Sequence, residues 1–249
     1  MDIPAQLNRF QPITLEQMSS IRLMNRVDTK YVVTLPKLCS ILADAQGEYY
    51  VQEINGDRLP GYSTAYLDTQ DYQMYNMHER GHSVREKIRV RTYEASGLNF
   101  LEVKNKNNRG RTDKKRVAVP NRREIASADA TRLLLKHAWF QLANLHYCLE
   151  NHFSRITLVN RGLTERLTID LDLRFRNLDT GQSVDLPKIA IIEVKRDGRV
   201  PSPIMNILRK HRQVPCGFSK YCIGMAMTDQ SLHCNRIKPR LRMIDKMCG

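Results

Sequence analysis

Lysine and arginine recur at every second position in several short segments of the sequence. Lys87, Arg89 and Arg91 have odd numbers, and Ile88 and Val90 lie between them. Because successive side chains of a strand point to opposite faces, this spacing predicts strands with one cationic face and one apolar face. The other segments with the same alternation, some with acids among the cations, are Leu101–Lys106, Arg166–Leu173 and Ile191–Lys195.

Such faces have the chemistry needed to bind a linear phosphate. Arginine holds phosphate oxygens through two parallel hydrogen bonds, and lysine supplies a compact positive charge. Carboxylates scattered among the cations suit Mg²⁺ or Mn²⁺, which prefer oxygen ligands and bridge phosphate oxygens. A charged strand face lying in water is the alternative. The preference for arginine and lysine over Thr, Ser and Gln favours a sheet that closes around an inward cationic face.

The overall charge agrees with an anionic partner. Forty Lys and Arg against 26 Asp and Glu give a formal charge of +14. This excess indicates nucleic acid, an anionic membrane or a phosphate compound, or else only a solubilising basic surface. Nucleic acid is the least favoured of these partners, because the chain has one Trp and no basic strand interleaved with aromatic residues.

The elements that would position these residues are mostly short strands, with Ala95-Ser96-Gly97 and Asn107–Gly110 as turns. The predicted strands are Lys30–Leu35, Ser63–Leu67, Glu86–Tyr93, Leu98–Lys104, Arg116–Pro120, Ser154–Asn160, Leu167–Phe175 and Ile189–Lys195. The predicted helices are Leu15–Met24, one starting at Leu35-Pro36, Ala126–Ala143, Pro203–His211 and Ser219–Met227. The chain is therefore predicted to be α+β, with one domain over residues 1–249.

The sequence carries no sign of export or of a membrane span. No stretch approaches the roughly 20 apolar residues that cross a bilayer, and the first ten residues lack the apolar core of a signal peptide. The six cysteines form no Cys-x-x-Cys pair, so they are expected to be free thiols. We expect a cytoplasmic location.

Nine short motifs in order make the sequence similar to a known family. The motifs are Arg26-Val-Asp-Thr-Lys30-Tyr31, Tyr66-Leu-Asp68-Thr, Met74-Tyr75-x-x-His78, Lys87-Ile-Arg89-Val-Arg91-Thr-Tyr93, Phe100-Leu-Glu102-Val-Lys104-Asn-Lys106, Gly110-Arg111-Thr, Asn160-Arg161, Ile192-Glu193-Val-Lys195 and Phe218-Ser-Lys220-Tyr221. Together they resemble the VTC (vacuolar transporter chaperone) domain of polyphosphate polymerases, a branch of the triphosphate tunnel metalloenzymes.

The resemblance implies a closed antiparallel tunnel of eight β-strands with helices packed on the outside. It also implies a set of phosphate-binding residues, which comprises Lys30, His78, Arg89, Arg91, Lys104, Lys106, Arg116, Arg161, Arg166, Lys195 and Lys220. A catalytic subset comprises Arg89, Arg91, Lys104, Arg161 and Lys220. Glu193 matches the acid that holds Mn²⁺ or Mg²⁺. Arg26 and Lys114 are further candidates to line the tunnel, whereas Asp170 and Asp172 would bind a second metal or, as we favour, pair with arginines.

The implied reaction is transfer of the γ-phosphate of ATP to inorganic polyphosphate. Hydrolysis of triphosphate or nucleotides in the same tunnel is one alternative, and non-catalytic sensing of polyphosphate or inositol phosphates is another. The wider superfamily opens with Glu-x-Glu-x-Lys, but this chain has Arg26-x-Asp28-x-Lys30, which puts a two-metal hydrolytic site in doubt. A membrane-protein partner is possible by analogy with the family, and the basic segment from Arg236 to Arg242 is expected to be mainly solvated.

Overall fold

The computed structural model describes residues 2–18, 26–122, 124–198 and 200–249, with Arg26 and Asp197 described by their backbone alone. The strands are β1 Gln11–Ile13, β2 Arg26–Thr34, β3 Tyr49–Gln52, β4 Gly61–Asp68, β5 Arg85–Tyr93, β6 Leu98–Lys106, β7 Thr112–Val119, β8 His146–Asn160, β9 Glu165–Asn177, β10 Ser183–Leu186 and β11 Ile189–Asp197. The helices are α1 Ile3–Leu7, α2 Leu15–Met18, α3 Leu35–Ala45, α4 Gln73–Glu79, α5 Ala128–His137, α6 Pro203–Lys210, α7 Lys220–Thr228 and α8 Lys238–Cys248.

Eight of the strands form one continuous antiparallel path, in the order β2-β11-β9-β8-β4-β5-β6-β7. The three short strands join at its sides, where β10 pairs with β9, β3 pairs with β8, and β1 runs parallel to β3. Each of the eight predicted strands overlaps one strand of the path, so the α+β class with a large antiparallel sheet is confirmed. The short strands β1, β3 and β10 were not predicted.

Local sequence explains the hairpins that carry most of the basic side chains. Ile88, Val90, Leu101 and Val103 are completely or almost completely buried, so the apolar face of β5 and β6 belongs to the core. The turn before β6 contains Gly97 at φ +66°, and the turn before β7 contains Gly110 at φ +76°. Glycine adopts this left-handed backbone without the steric penalty of a Cβ, so the two turn predictions are confirmed.

Helices cover the apolar face of the sheet. α3 and α6 pack on β2, β9 and β11, and α5 packs on β5–β7. α7 and α8 cover the remaining part of the sheet, around β8 and β9. α7 approaches these strands closely because Gly224 has no side chain: a Cβ there would lie 2.6 Å from Phe175 and 2.7 Å from Leu149. The charged face is left to form a cavity.

Two helices differ from their predicted extents. α5 ends at His137 because the backbone N–H of Trp139 donates to both carboxylate oxygens of Glu86 at 3.1 Å, which draws the chain out of the helix. The helix predicted over Leu15–Met24 is present as α2, and residues 19–24 lie outside the described residues. The helix at Leu35-Pro36 is confirmed as α3.

The basic segment from Arg236 to Arg242 is largely helical. Arg236, Lys238 and Arg242 are exposed, as expected, but the residues from Lys238 onward belong to α8, a helix that was not predicted. Ile237 and Ile244 anchor this helix in the core, at 5% and 0% exposure. Helices α1 and α4 were not predicted either. All six cysteines are free, as expected. Within the described ranges, no helix is both long enough and apolar enough to span a bilayer.

Candidate phosphate-binding cavity

A cavity of about 770 Å³ lies on the charged face of the sheet. Asp28 and Lys30 of β2 and Lys114 and Arg116 of β7 line it together, although these strands stand at opposite ends of the eight-strand path. The basic residues in its lining are Lys30, Lys87, Arg89, Arg91, Lys104, Lys114, Arg116, Arg155, Arg166, Lys195 and Lys220, against the acids Asp28, Asp170 and Glu193. Eleven cations against three acids leave a strong positive excess.

One wall of the cavity is built around Glu102 of β6, whose side chain is fully buried. Arg89 of β5 donates to it from Nε at 2.8 Å and approaches it through Nη2 at 2.7 Å, and Lys114 of β7 bonds its other oxygen. Burial acts to raise the pKa of Glu102, but the charges of Arg89, Arg91 and Lys114 hold it at about 2. Glu102 therefore stays ionised and fixes two cations from neighbouring strands.

Asp170 of β9 is a second buried carboxylate that bonds two cations of the cavity. Arg155 of β8 donates to its two oxygens from Nε at 2.6 Å and from Nη2 at 2.9 Å, and Lys220 of α7 also bonds it. Burial opposes ionisation, yet these two cations keep the pKa of Asp170 well below its usual range. The structure thus gives Asp170 the pairing role favoured from the sequence.

Asp172 does not share that face. Its backbone is left-handed at φ +51° and its side chain is exposed. The pairing of β8 with β9 shifts register between His152 and Ser154, opposite this part of β9. A shift by one residue exchanges the faces of a strand, so the alternation that places Asp170 in the cavity fails two residues later.

Glu193 lies on the wall formed by β2 and β11. Lys195 approaches its carboxylate to 2.8 Å and Lys30 to 3.9 Å. Burial acts to raise the pKa of Glu193, but Lys195 and Lys30 lower it well below the usual range. Lys30 also donates to the carbonyl of Phe218 at 3.0 Å, which ties this wall to the segment before α7.

Several cations of the cavity are held without a full countercharge. Burial lowers the pKa of Lys87 to about 7, and that of Lys104 to about 8. Lys87 donates to the hydroxyl of Ser219 at 2.8 Å, which is a neutral partner. Arg91 is also buried, its Nε has no hydrogen-bond partner among the described residues, and burial lowers its pKa to about 10. An anion in the cavity would supply the missing negative charge.

The entry of α7 into the cavity depends on a buried carboxylate behind it. Asp68, at the end of β4, accepts hydrogen bonds from the backbone N–H groups of Met74 and Tyr75 at 2.9 Å each. The hydroxyl of Tyr221 donates to the same carboxylate. These bonds join β4, α4 and α7, and so hold Lys220, the residue before Tyr221, at the cavity wall.

Eight of the eleven predicted phosphate-binding residues line the cavity, and three do not. Arg161 lies on the turn after β8, where it donates to Gln11 Oε1 at 2.7 Å and stacks 4.5 Å from the ring centre of Tyr50. Lys106 is the last residue of β6, beyond the lining. His78 lies on α4 outside the lining, and burial lowers its pKa to about 2. The side chain of Arg26 is outside the described residues.

Arg155 is the cavity residue that the sequence reasoning missed. The Asn160-Arg161 motif drew attention to the wrong arginine of β8, because Arg161 stands beyond the strand end. Alternation was the available signal: Arg155 has the opposite parity to Ile156 and Leu158, which are buried in the core. Lys87 was placed by alternation on one strand face with Arg89 and Arg91 but was not among the predicted phosphate-binding residues, and it too lines the cavity.

Glu193 is the acid of the cavity that best fits a divalent cation by its contacts. Among the described residues there is no group of three or more His, Cys, Asp or Glu side chains placed to hold a metal ion. Both oxygens of Asp170 and of Glu102 closely contact cations, whereas only one oxygen of Glu193 does, with Lys195 at 2.8 Å; Lys30 is 3.9 Å from the other. Mg²⁺ is commonly held by one or two carboxylates plus substrate phosphates. The donor set therefore fits a metal shared between Glu193 and a bound phosphate chain.

The family model of the VTC domain matches residues 25–229, which include every strand from β2 to β11 and helix α7. The chain belongs to the VTC domain family. This confirms the resemblance found in the motifs; helix α8 follows the matched residues.

Solved structures of similar fold include three proteins connected with adenylate cyclase. A candidate adenylate cyclase from Vibrio parahaemolyticus has a TM-score of 0.48 and 11% identity, covering 80% of this chain and 96% of that one. One from Bacillus halodurans has a TM-score of 0.47 and 16% identity, covering 79% and 97%. HpAC1 from Hippeastrum, described with a dominant triphosphatase activity, has 0.46 and 12%, covering 82% and 97%. A comparison with curated proteins found no match.

Proposed function

We propose that this VTC domain is a polyphosphate polymerase that transfers the γ-phosphate of ATP to a growing inorganic polyphosphate chain. The observation that carries the proposal is that one cavity is lined by eleven cations and three acids, with residues from both ends of the strand path. A linear phosphate carries a negative charge on every unit, so it needs many donors along one line. We also propose that β2 and β7 come together, so that the sheet closes into a tunnel through which the product can lengthen.

In phosphoryl transfer the protein acts mainly by positioning the reactants and by stabilising the negative charge of the transition state. A terminal oxygen of the acceptor attacks the γ-phosphorus, the bond from that phosphorus to the β–γ bridging oxygen breaks, and ADP leaves with the electron pair. Arg89, Arg91 and Lys104 line the cavity from β5 and β6 and would hold the donor phosphates. Arg155 and Lys220 line it from β8 and α7 and would neutralise the charge that develops on the transferred group.

A divalent cation fits this scheme beside Glu193. When bound there, Mn²⁺ or Mg²⁺ would supply positive charge that lowers the repulsion between donor and acceptor. Lys195 and Lys30 keep Glu193 ionised and oriented towards the cavity. A cytoplasmic location and a membrane-protein partner remain proposals that rest on the sequence and on the family.

The direct test is synthesis. Purified protein with ATP and Mn²⁺ should form a polymer that stains with toluidine blue, and Lys104→Ala or Glu193→Ala should abolish it. Phosphate release without polymer would instead assign a hydrolase to the same cavity. Tight binding of polyphosphate without turnover, across several metals and primers, would make the domain a sensor and refute the polymerase.

A further inference from the structure

The positive charge of the cavity continues past its lining at the α7 side. Lys87 of β5 stands opposite Lys104 of β6, and the next cross-strand pair outward on the same face is Arg85 opposite Lys106. Two residues of strand place these pairs about 7 Å apart. Like charges directly opposite each other destabilise a sheet. Two successive cationic pairs are therefore a feature that folding alone does not favour.

No acid of the described residues offsets these four cations through an ion pair, whereas Arg89, Arg155 and Lys195 in the cavity each have one. Arg85 donates only to the backbone carbonyl of His82, at 2.7 Å. An anionic ligand would remove the repulsion in both pairs. The feature thus indicates that an anion lies along this end of β5 and β6.

Helix α8 brings another cation to the same place. A methyl group at Gly217 would lie 3.4 Å from Nη2 of Arg240, so this guanidinium sits against the segment whose next two residues, Phe218 and Ser219, line the cavity. Arg240 donates to the carbonyl of Arg236 at 3.1 Å and forms no ion pair with a described acid.

The end of α4 links α8 to β5. The backbone N–H of Arg236, four residues before Arg240, donates to Glu79 Oε1 at 2.9 Å, and its guanidinium donates to the carbonyl of Arg80. Arg85 donates to the carbonyl of His82, which follows the same helix. The start of α8 and the start of β5 therefore lie at the same end of α4.

We propose that Arg85, Lys106 and Arg240 form an external subsite for a polyphosphate chain, which continues there from the cavity past Lys87 and Lys104. The ligand class follows from the proposed function, but the subsite itself rests on the uncompensated cations. A triphosphate held at Arg89 and Arg91 does not reach Arg85, so the subsite distinguishes long chains from short ones. Arg240 lies on α8, beyond the matched residues 25–229.

The test compares the binding of long-chain polyphosphate with that of tripolyphosphate, measured by calorimetry without nucleotide. Arg240→Gln and, independently, Arg85→Gln should each weaken binding of the long chain roughly three- to tenfold, the range for one charged contact at a partly exposed site. Each should leave tripolyphosphate binding within about twofold. Arg242→Gln is the matched control, since Arg242 is an exposed cation on the same helix and should change neither affinity.

Three results would overturn the subsite. One is unchanged long-chain affinity in both variants, another is an equal loss for both ligands, and the third is the same loss in Arg242→Gln. Thermal unfolding of each variant separates loss of the site from loss of the fold, and the two variants lie on different elements. The polymerase proposal fails separately: a protein that shows the length-dependent effect but makes no polymer would retain the subsite and lose the activity.

Discussion

The depressed pKa of Lys87 predicts that phosphate binding takes up protons. Burial is the main cause of the lowering to about 7, and nearby Lys30 and Lys104 add to it, while the hydrogen-bond partner is the neutral hydroxyl of Ser219. A phosphate chain beside Lys87 favours its charged form, so its pKa rises on binding. Binding is then strongest below the pKa of the free protein and weakens as the pH rises through it.

The magnitude follows from the same value. With a pKa of about 7, Lys87 is about nine-tenths protonated at pH 6 and about one-tenth protonated at pH 8. If binding requires the charged form, the contribution of Lys87 to tripolyphosphate affinity falls about tenfold over this interval, or about 1.4 kcal/mol. Lys104, whose pKa is lowered to about 8, extends the decline to higher pH.

Isothermal titration calorimetry in buffers of different ionisation enthalpy measures both the tripolyphosphate affinity and the number of protons taken up on binding. Wild type should take up protons at pH 8, whereas Lys87→Gln should bind more weakly at pH 6 and take up fewer. Titration of tripolyphosphate itself cancels in the difference between the two proteins. Equal pH dependence in wild type and Lys87→Gln would show that Lys87 is not the group that titrates on binding.

Further predictions concern the carboxylate-centred clusters and the metal. Arg155→Ala should lower the free energy of unfolding by about 3–5 kcal/mol, because it leaves Asp170 buried with one partner fewer. The same variant should abolish tripolyphosphate binding, whereas Arg161→Ala should leave that binding unchanged. Equal loss of binding in both variants would contradict the assigned cavity. Glu102→Leu should destabilise the fold by a similar amount at pH 7 in chemical denaturation. Because the folded pKa of Glu102 is depressed to about 2, its stabilisation should be present above about pH 4.3 and disappear towards pH 2, so a deficit that persists undiminished at pH 2 would argue against it. Glu193→Gln should remove the Mn²⁺-dependent gain in nucleotide affinity but keep tripolyphosphate binding in EDTA, and an unchanged Mn²⁺ response would exclude Glu193 as the ligand.

The sheet could be predicted because its signals are local. Alternation of charged and apolar residues marked β5, β6, β9 and β11, and Gly97 and Gly110 marked the turns. Strands as short as β1, β3 and β10 carry too few residues for alternation to be visible. The order of the strands depends on long-range pairing and was not predicted. The residue types and the family resemblance anticipated only that the cationic face would enclose a cavity. The single domain over residues 1–249 stays a prediction.

The site was predicted less completely than the sheet. Arg155 and Arg161 lie on the same strand or its end, and a motif match could not tell which reaches the cavity. The alternation of strand faces could tell which arginine reaches the cavity. It fails, however, wherever a register shift or a residue with left-handed backbone interrupts the strand, as at Asp172. Helix α8 was not predicted, although the sequence carries a signal for it: Ile237, Leu241 and Ile244 recur at helical spacing within the basic residues.

The most direct test of the central claim is a crystal structure with a non-hydrolysable ATP analogue and Mn²⁺. Triphosphate density is expected between Arg89, Arg91 and Lys104, with the metal between Glu193 and the phosphate oxygens. Well-occupied triphosphate on the outer surface, with the cavity empty of anion, would contradict this claim.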